Sequence, residues 1–163
     1  QCAHLGVIGN AEPYWAQLDA LMDVLTTPRL GQQRSDEQYP WASLHELQVR
    51  LSFGSDWPVS TANPMDGIQV ACTRQTAEGV PAGGWTPAER LSVEQALRCY
   101  TLQVAYQGFT EGGTLRPGAT ADLAVLAADP FAAEPADLAG IHVVETWLRG
   151  RRIHADEPTR SSD

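Results

Sequence analysis

No stretch of this 163-residue sequence approaches the roughly 18 consecutive apolar residues of a membrane span. Paired cysteines are missing too. Cys2, Cys72 and Cys99 are odd in number and widely spaced, so they make neither a CxxC metal motif nor a disulfide framework. That pattern fits a reducing cytoplasm, with buried free thiols as the expected fate of the cysteines. Basic residues are scarce, 11 Lys and Arg against 20 Asp and Glu, for a formal net charge of −9. Phosphate backbones and anionic lipid surfaces need a basic field, so neither nucleic acid nor membrane is an expected partner. The one basic cluster, Arg149-Gly150-Arg151-Arg152, reads as a solvated hairpin tip. The opening, Gln1-Cys2-Ala3-His4, is neither an initiator methionine nor a basic leader, and the expectation is a frame that starts upstream.

What is present is ordinary for a soluble globular protein: 43% hydrophobic and 19% charged residues. Residues 3–8 read as the end of a strand. Asn10-Ala11-Glu12-Pro13 reads as a helix start, with Trp15, Leu18, Met22 and Leu25 as its apolar stripe, Pro28 as its end and a polar loop over 29–40. Trp41 to Gln48 reads as a short helix with Leu44 and Leu47 inward. Leu51 to Ser55 is a compact strand that Asp56-Trp57-Pro58 stops, because proline cannot extend the ladder. Residues 64–75 read as helical, with Met65, Ile68 and Cys72 on one side. Beyond a Gly/Pro-rich loop, Ser92-Val93-Glu94-Gln95 is a capping box for a helix burying Val93, Leu97, Tyr100 and Val104, and Gly108 ends it.

Near residue 110 the grammar changes to short strands and turns. Ala121 to Ala127 alternates, Ile141 to Leu148 is β-branched and aromatic, and Gly150 turns it into Arg151 to His154. A boundary is expected there, giving units 1–109 and 110–156 and a frayed tail at 157–163. Strand–helix alternation argues a parallel α/β architecture, but two units cannot close a barrel, so the chain reads as part of something larger.

Asp56 is the leading candidate for chemistry, because a carboxylate at the C-terminal end of a parallel strand sits where barrel enzymes place active sites. Capping the next helix or bracing a loop is the competing reading. Phe53-Gly54-Ser55-Asp56-Trp57-Pro58-Val59 resembles the FGSDxPV segment of the amidohydrolase superfamily. The similar branch is amidohydrolase 3, which includes N-substituted formamide deformylase-like enzymes. Leu91 to Thr101, and Gly113-Thr114-Leu115-Arg116-Pro117-Gly118 with Ala121 to Leu126, resemble further segments of that family in the same order.

The resemblance implies the last strands and helices of a metal-dependent (β/α)8 barrel, followed by part of a small β-sandwich. It implies hydrolysis of a small-molecule amide or N-acyl substrate at a non-peptide C–N bond. The cofactor implied is a divalent metal, zinc first, with Asp56 as metal ligand and general base. The remaining ligands have no counterpart in this chain, so catalysis would need the missing N-terminal part. A homo-oligomer stays open. Gln1-Cys2-Ala3-His4 resembles the family's QPxH segment, with Cys2 in place of proline, and assigns His4 to substrate binding. A histidine hydrogen-bonded at a strand end is the competing reading. His45, His142 and His154 read as structural or exposed. Trp57 and Arg74 are candidates for touching substrate or the active-site rim, with packing beneath the loop the favoured reading for Trp57 and a surface ion pair for Arg74; Asp122 reads as a turn stabiliser. The rival functional class is an inactive fragment or degenerate barrel serving as an assembly module. A free-standing β-rich binding module ranks last.

Overall fold

The computed structural model describes residues 1–156; the tail expected at 157–163 lies outside the described residues. Two small sheets share the chain. Strand β1 (Ile8–Ala11) pairs in parallel with β2 (Arg50–Phe53), Ile8 opposite Arg50 and Ala11 opposite Phe53. The other sheet is antiparallel, ordered β3 (Leu123–Leu126), β4 (Val143–Leu148), β5 (Arg151–Ala155).

Between β1 and β2 the chain departs from the expected single helix. A 3₁₀ turn, Pro13–Trp15, is followed by an irregular stretch. A π-helical turn, Met22–Thr26, then runs into α2 (Thr27–Leu30), so Pro28 lies inside the helix rather than ending it. A π-helical turn just ahead of Pro28 is a place where the helical ladder already departs from its regular pattern, which accommodates a residue without an N–H. The expected polar loop contains α3 (Gln32–Asp36). Of the stripe read as buried, Trp15, Leu18 and Met22 are half-buried and Leu25 is exposed, as are the neighbouring Leu21 and Val24. Helix α4 (Trp41–Glu46) follows, with Trp41 buried but Leu47 exposed instead of inward.

After β2 comes α5 (Pro64–Thr73), capped by the Asn63 side chain, which accepts from the Met65 amide at 3.1 Å. Met65, Ile68 and Cys72 are buried as expected. The Ser92 capping box forms in full at the start of α6 (Val93–Tyr100). Thr101 breaks the run, and α7 (Leu102–Gln107) carries it to Gly108. The innermost positions of α6 are Ala96 and Cys99, and Val104 is exposed. Burial pushes the Cys72 thiol up to about 11 and the Cys99 thiol up to about 12, so both stay protonated and inert at neutral pH. Cys2 departs from expectation and is exposed.

The 110–156 stretch is tied to the first part. A 3₁₀ segment, Pro135–Gly140, lies against α5, with the Ala139 amide donating to Gln69 Oε1 at 2.9 Å. Leu138 has 0% exposure and, with Ile141, joins the buried cluster of Trp41, Phe53, Met65 and Ile68. The β4–β5 hairpin turns on Arg149 and Gly150, both at positive φ, the pairing a two-residue turn demands. Its tip is solvated, and the Asp122 carboxylate accepts from the Arg149 amide at 2.6 Å, the turn-stabilising role expected of it.

Arg74 overturns the surface-ion-pair expectation. Its side chain has 0% exposure. It lies over the Trp41 ring at 4.9 Å, with Trp85 and Tyr39 at 5.6 and 5.8 Å. It donates from Nε to the Trp85 carbonyl (3.2 Å), from one terminal nitrogen to the Tyr39 carbonyl (3.1 Å), and from the other to the Gln38 carbonyl (3.4 Å) and the Thr86 hydroxyl (2.5 Å). Burial lowers its pKa to about 10, with Glu89 and Tyr39 acting in the opposite direction; it remains a cation at neutral pH. Lysine cannot reproduce that planar fork and leaves buried carbonyls without donors. Arg74→Lys is therefore expected to cost about 2–3 kcal/mol, read as a lower urea midpoint at unchanged slope. A shift under about 0.5 kcal/mol, the scale of a surface substitution, would show that Arg74 carries no such structural weight.

Candidate active site

The β1–β2 pair sets the geometry. The Gly54 amide donates to the Ala11 carbonyl at 2.9 Å, extending the parallel ladder one step past β2. Asp56 follows two residues later, at the C-terminal mouth where the sequence put it. Its backbone is left-handed, φ 55°, a region that aspartate enters more readily than most non-glycine residues. The turn is closed by the Val59 amide donating to the Asp56 carbonyl at 2.8 Å, and the Ser60 hydroxyl donates to the Ser55 carbonyl. The Trp57–Pro58 peptide is cis. Asp56 is exposed, and its carboxylate forms no hydrogen bond or ion pair among the described residues. A non-glycine residue held at positive φ with its polar group free is the kind of local strain that clusters at functional sites.

His4 is not brought to Asp56. Residues 3–8 do not end a strand: α1 (Cys2–Leu5) is a helical turn, and β1 starts only at Ile8. His4 is exposed before the N-terminal end of β1, whereas Asp56 follows the C-terminal end of parallel β2. The two sit at opposite ends of the strand pair. The residue that does share the mouth is Glu12, which sequence reasoning took for part of a helix start. It follows β1 directly, and its Oε1 lies 4.0 Å from where a side chain on Gly54 would begin. The missed signal was strand–acid–proline grammar: Ala11-Glu12-Pro13 stops β1 much as Asp56-Trp57-Pro58 stops β2.

Trp57 does not pack under its loop; it is 67% exposed beside Asp56. His45 accepts or donates at Nδ1 with the Gln95 side chain at 3.2 Å, away from the mouth. His142 and His154 each approach the Asp156 carboxylate, at 3.3 and 3.4 Å, at the far end of the antiparallel sheet. Among the described residues no group of three or more His, Cys, Asp and Glu is arranged to hold a metal ion. Asp56 can furnish one oxygen ligand; catalytic zinc sites take three protein ligands, so these residues alone do not fit a metal centre.

The combination of a parallel strand pair and an antiparallel sheet has counterparts among solved structures. The chain is similar to an uncharacterized metal-dependent hydrolase from Pyrococcus horikoshii OT3 at 25% identity and TM-score 0.67, covering 82% of this chain and 26% of that one. It is similar to another from Pyrococcus furiosus at 27% identity and TM-score 0.57, covering 72% and 22%. The profile of the amidohydrolase family matches residues 4–154. The chain belongs to the amidohydrolase family. Relatives include "Putative amidohydrolase YtcJ" of Bacillus subtilis (strain 168), 30% identical over 77% of this chain and 24% of the relative. "Protein LONG AFTER FAR-RED 3" of Arabidopsis thaliana is 32% identical over 92% and 25%. "N-substituted formamide deformylase" of Arthrobacter pascens is 32% identical over 69% and 20%. The chain thus spans a quarter or less of the length of these relatives.

The left-handed backbone at Asp56 makes a local prediction. Asp56→Asn keeps a side chain that tolerates this region and is expected to leave stability within about 0.5 kcal/mol. Asp56→Val places a β-branched residue there and is expected to cost about 1–2 kcal/mol. Urea unfolding of both variants decides it; equal stability would mean that the turn does not impose the left-handed conformation.

Proposed function

We propose that this chain supplies the closing strands of a (β/α)8 barrel and part of a composite β-sandwich in a metal-dependent amidohydrolase. The enzyme hydrolyses a non-peptide C–N bond, an amide or N-acyl group of a small molecule. The observation that carries this reading is Asp56: an unpartnered carboxylate, held at φ 55° at the mouth of a parallel strand, inside the stretch matched by the family profile. The names of the N-substituted formamide deformylase and the metal-dependent hydrolases support the bond type and the metal.

Asp56 contributes one oxygen ligand, and the others come from protein beyond this chain. A divalent metal, zinc in this reading, would supply Lewis-acid chemistry to water and carbonyl once the ligands from the rest of the enzyme joined Asp56. The part of this chain is proton transfer. The Asp56 carboxylate would take a proton from the attacking water and return it to the leaving nitrogen, a role open to a carboxylate facing solvent and closed to an amide. Glu12 and Trp57 flank that position as walls of the substrate approach. His4, at the other end of the strands, is given no part in this site. Two buried, protonated thiols suit a cytoplasmic enzyme.

In the full-length enzyme, Asp56→Asn is expected to lower kcat by ~10²–10⁴-fold with little change in KM, because substrate contacts remain while the proton carrier is lost. Steady-state kinetics on an N-acyl amine substrate, with metal content measured in parallel, checks this. Near-normal turnover in a metal-loaded Asp56→Asn enzyme would refute the assignment of Asp56 as proton carrier.

A further inference from the structure

We propose that Tyr100 is a positioning residue for Asp56, holding the strand end from which the carboxylate projects; this rests on the reading of Asp56 as the proton carrier. The Tyr100 hydroxyl donates to the Gly54 carbonyl at 3.3 Å, two residues before Asp56. Its ring packs edge-on against Phe53 at 5.4 Å, one residue further back. The next carbonyl, of Ser55, accepts from the Ser60 hydroxyl, and the Gly54 amide is already engaged with Ala11. Gly54 and Ser55 are therefore pinned through successive carbonyls, and the rotation that tips Asp56 into its left-handed conformation has little room to relax.

The surroundings are shaped to keep the phenol there. α5 approaches Tyr100 through Gly67, where any side chain would overlap the Tyr100 hydroxyl and press on Pro13. Burial first, then the carboxylates of Asp66 and Glu12, raises the phenol pKa far above its ordinary value. The hydroxyl thus stays protonated and remains a donor throughout the working pH range. Tyr100 touches neither substrate nor reacting atoms; it acts through the backbone of Gly54.

The test uses the full-length enzyme with Tyr100→Phe, which keeps the ring contact and removes only the hydroxyl. Amide hydrogen exchange at Gly54 to Trp57 is expected to accelerate about 10-fold, with α6 still protected. In parallel kcat is expected to fall about 10-fold at nearly unchanged KM, the scale on which small misplacements of a catalytic group are felt. Tyr106→Phe, which removes an exposed hydroxyl, is expected to change neither readout. Should Tyr100→Phe fail to fold, Gly67→Ala displaces the same hydroxyl and is expected to shift both readouts in the same direction. Unchanged exchange at residues 54–57, or unchanged kcat with faster exchange, overturns the proposal. Full activity in Asp56→Asn instead overturns the reading beneath it, whatever Tyr100→Phe does.

Discussion

A guanidinium buried among three aromatic rings, bonded to backbone carbonyls and a hydroxyl, organises most of this chain. Taking the Arg74 charge out of water is costly unless its donors are satisfied. Here the fork reaches the Trp85, Tyr39 and Gln38 carbonyls and the Thr86 hydroxyl. Those contacts fasten two separate segments, the entry to α4 and the loop before α6, to the end of α5, where Arg74 itself is left-handed at φ 58°. With α5 fixed, Leu138 and Ile141 have a surface to bury against, and α6 is held where Tyr100 meets Gly54. A continuous series of contacts thus leads from a buried cation to the exposed carboxylate of Asp56.

Sequence reasoning succeeded where the signal is local and chemical. The Ser92–Gln95 capping box needs only four adjacent residues, and it forms in full. The Arg149-Gly150 turn, the position of Asp56 and the part played by Asp122 were readable for the same reason. Reasoning failed where tertiary packing overrides pattern. Trp15, Leu18, Met22 and Leu25 have helical spacing, yet Pro13 starts only a 3₁₀ turn and the helix begins later, with a π-helical turn. Arg74 looked like a surface residue because nothing in its neighbours announces the rings of Tyr39, Trp41 and Trp85, which arrive from other parts of the chain. Misplacing β1 by a few residues hid Glu12, the acid that follows β1 at the same end of the strand pair as Asp56, while His4, named from the QPxH resemblance, lies before the other end.

The open surfaces follow from the same architecture. Parallel strands are normally covered on both faces, and here the parallel sheet has only two strands among the described residues. Leu21, Val24 and Leu25 in the segment between the two strands stay in solvent, as do Trp57 and Val59 next to Asp56. The curated relatives are about four to five times the length of the stretch this chain matches, as expected of a segment of a larger amidohydrolase.

The most direct test is a metal-bound crystal structure of the full-length enzyme. The account predicts an Asp56 oxygen within about 2.0–2.2 Å of the divalent metal, with Glu12 across the same mouth and His4 far from both. A metal held entirely by other residues, with the Asp56 carboxylate turned to solvent and away from the bound water, would contradict it.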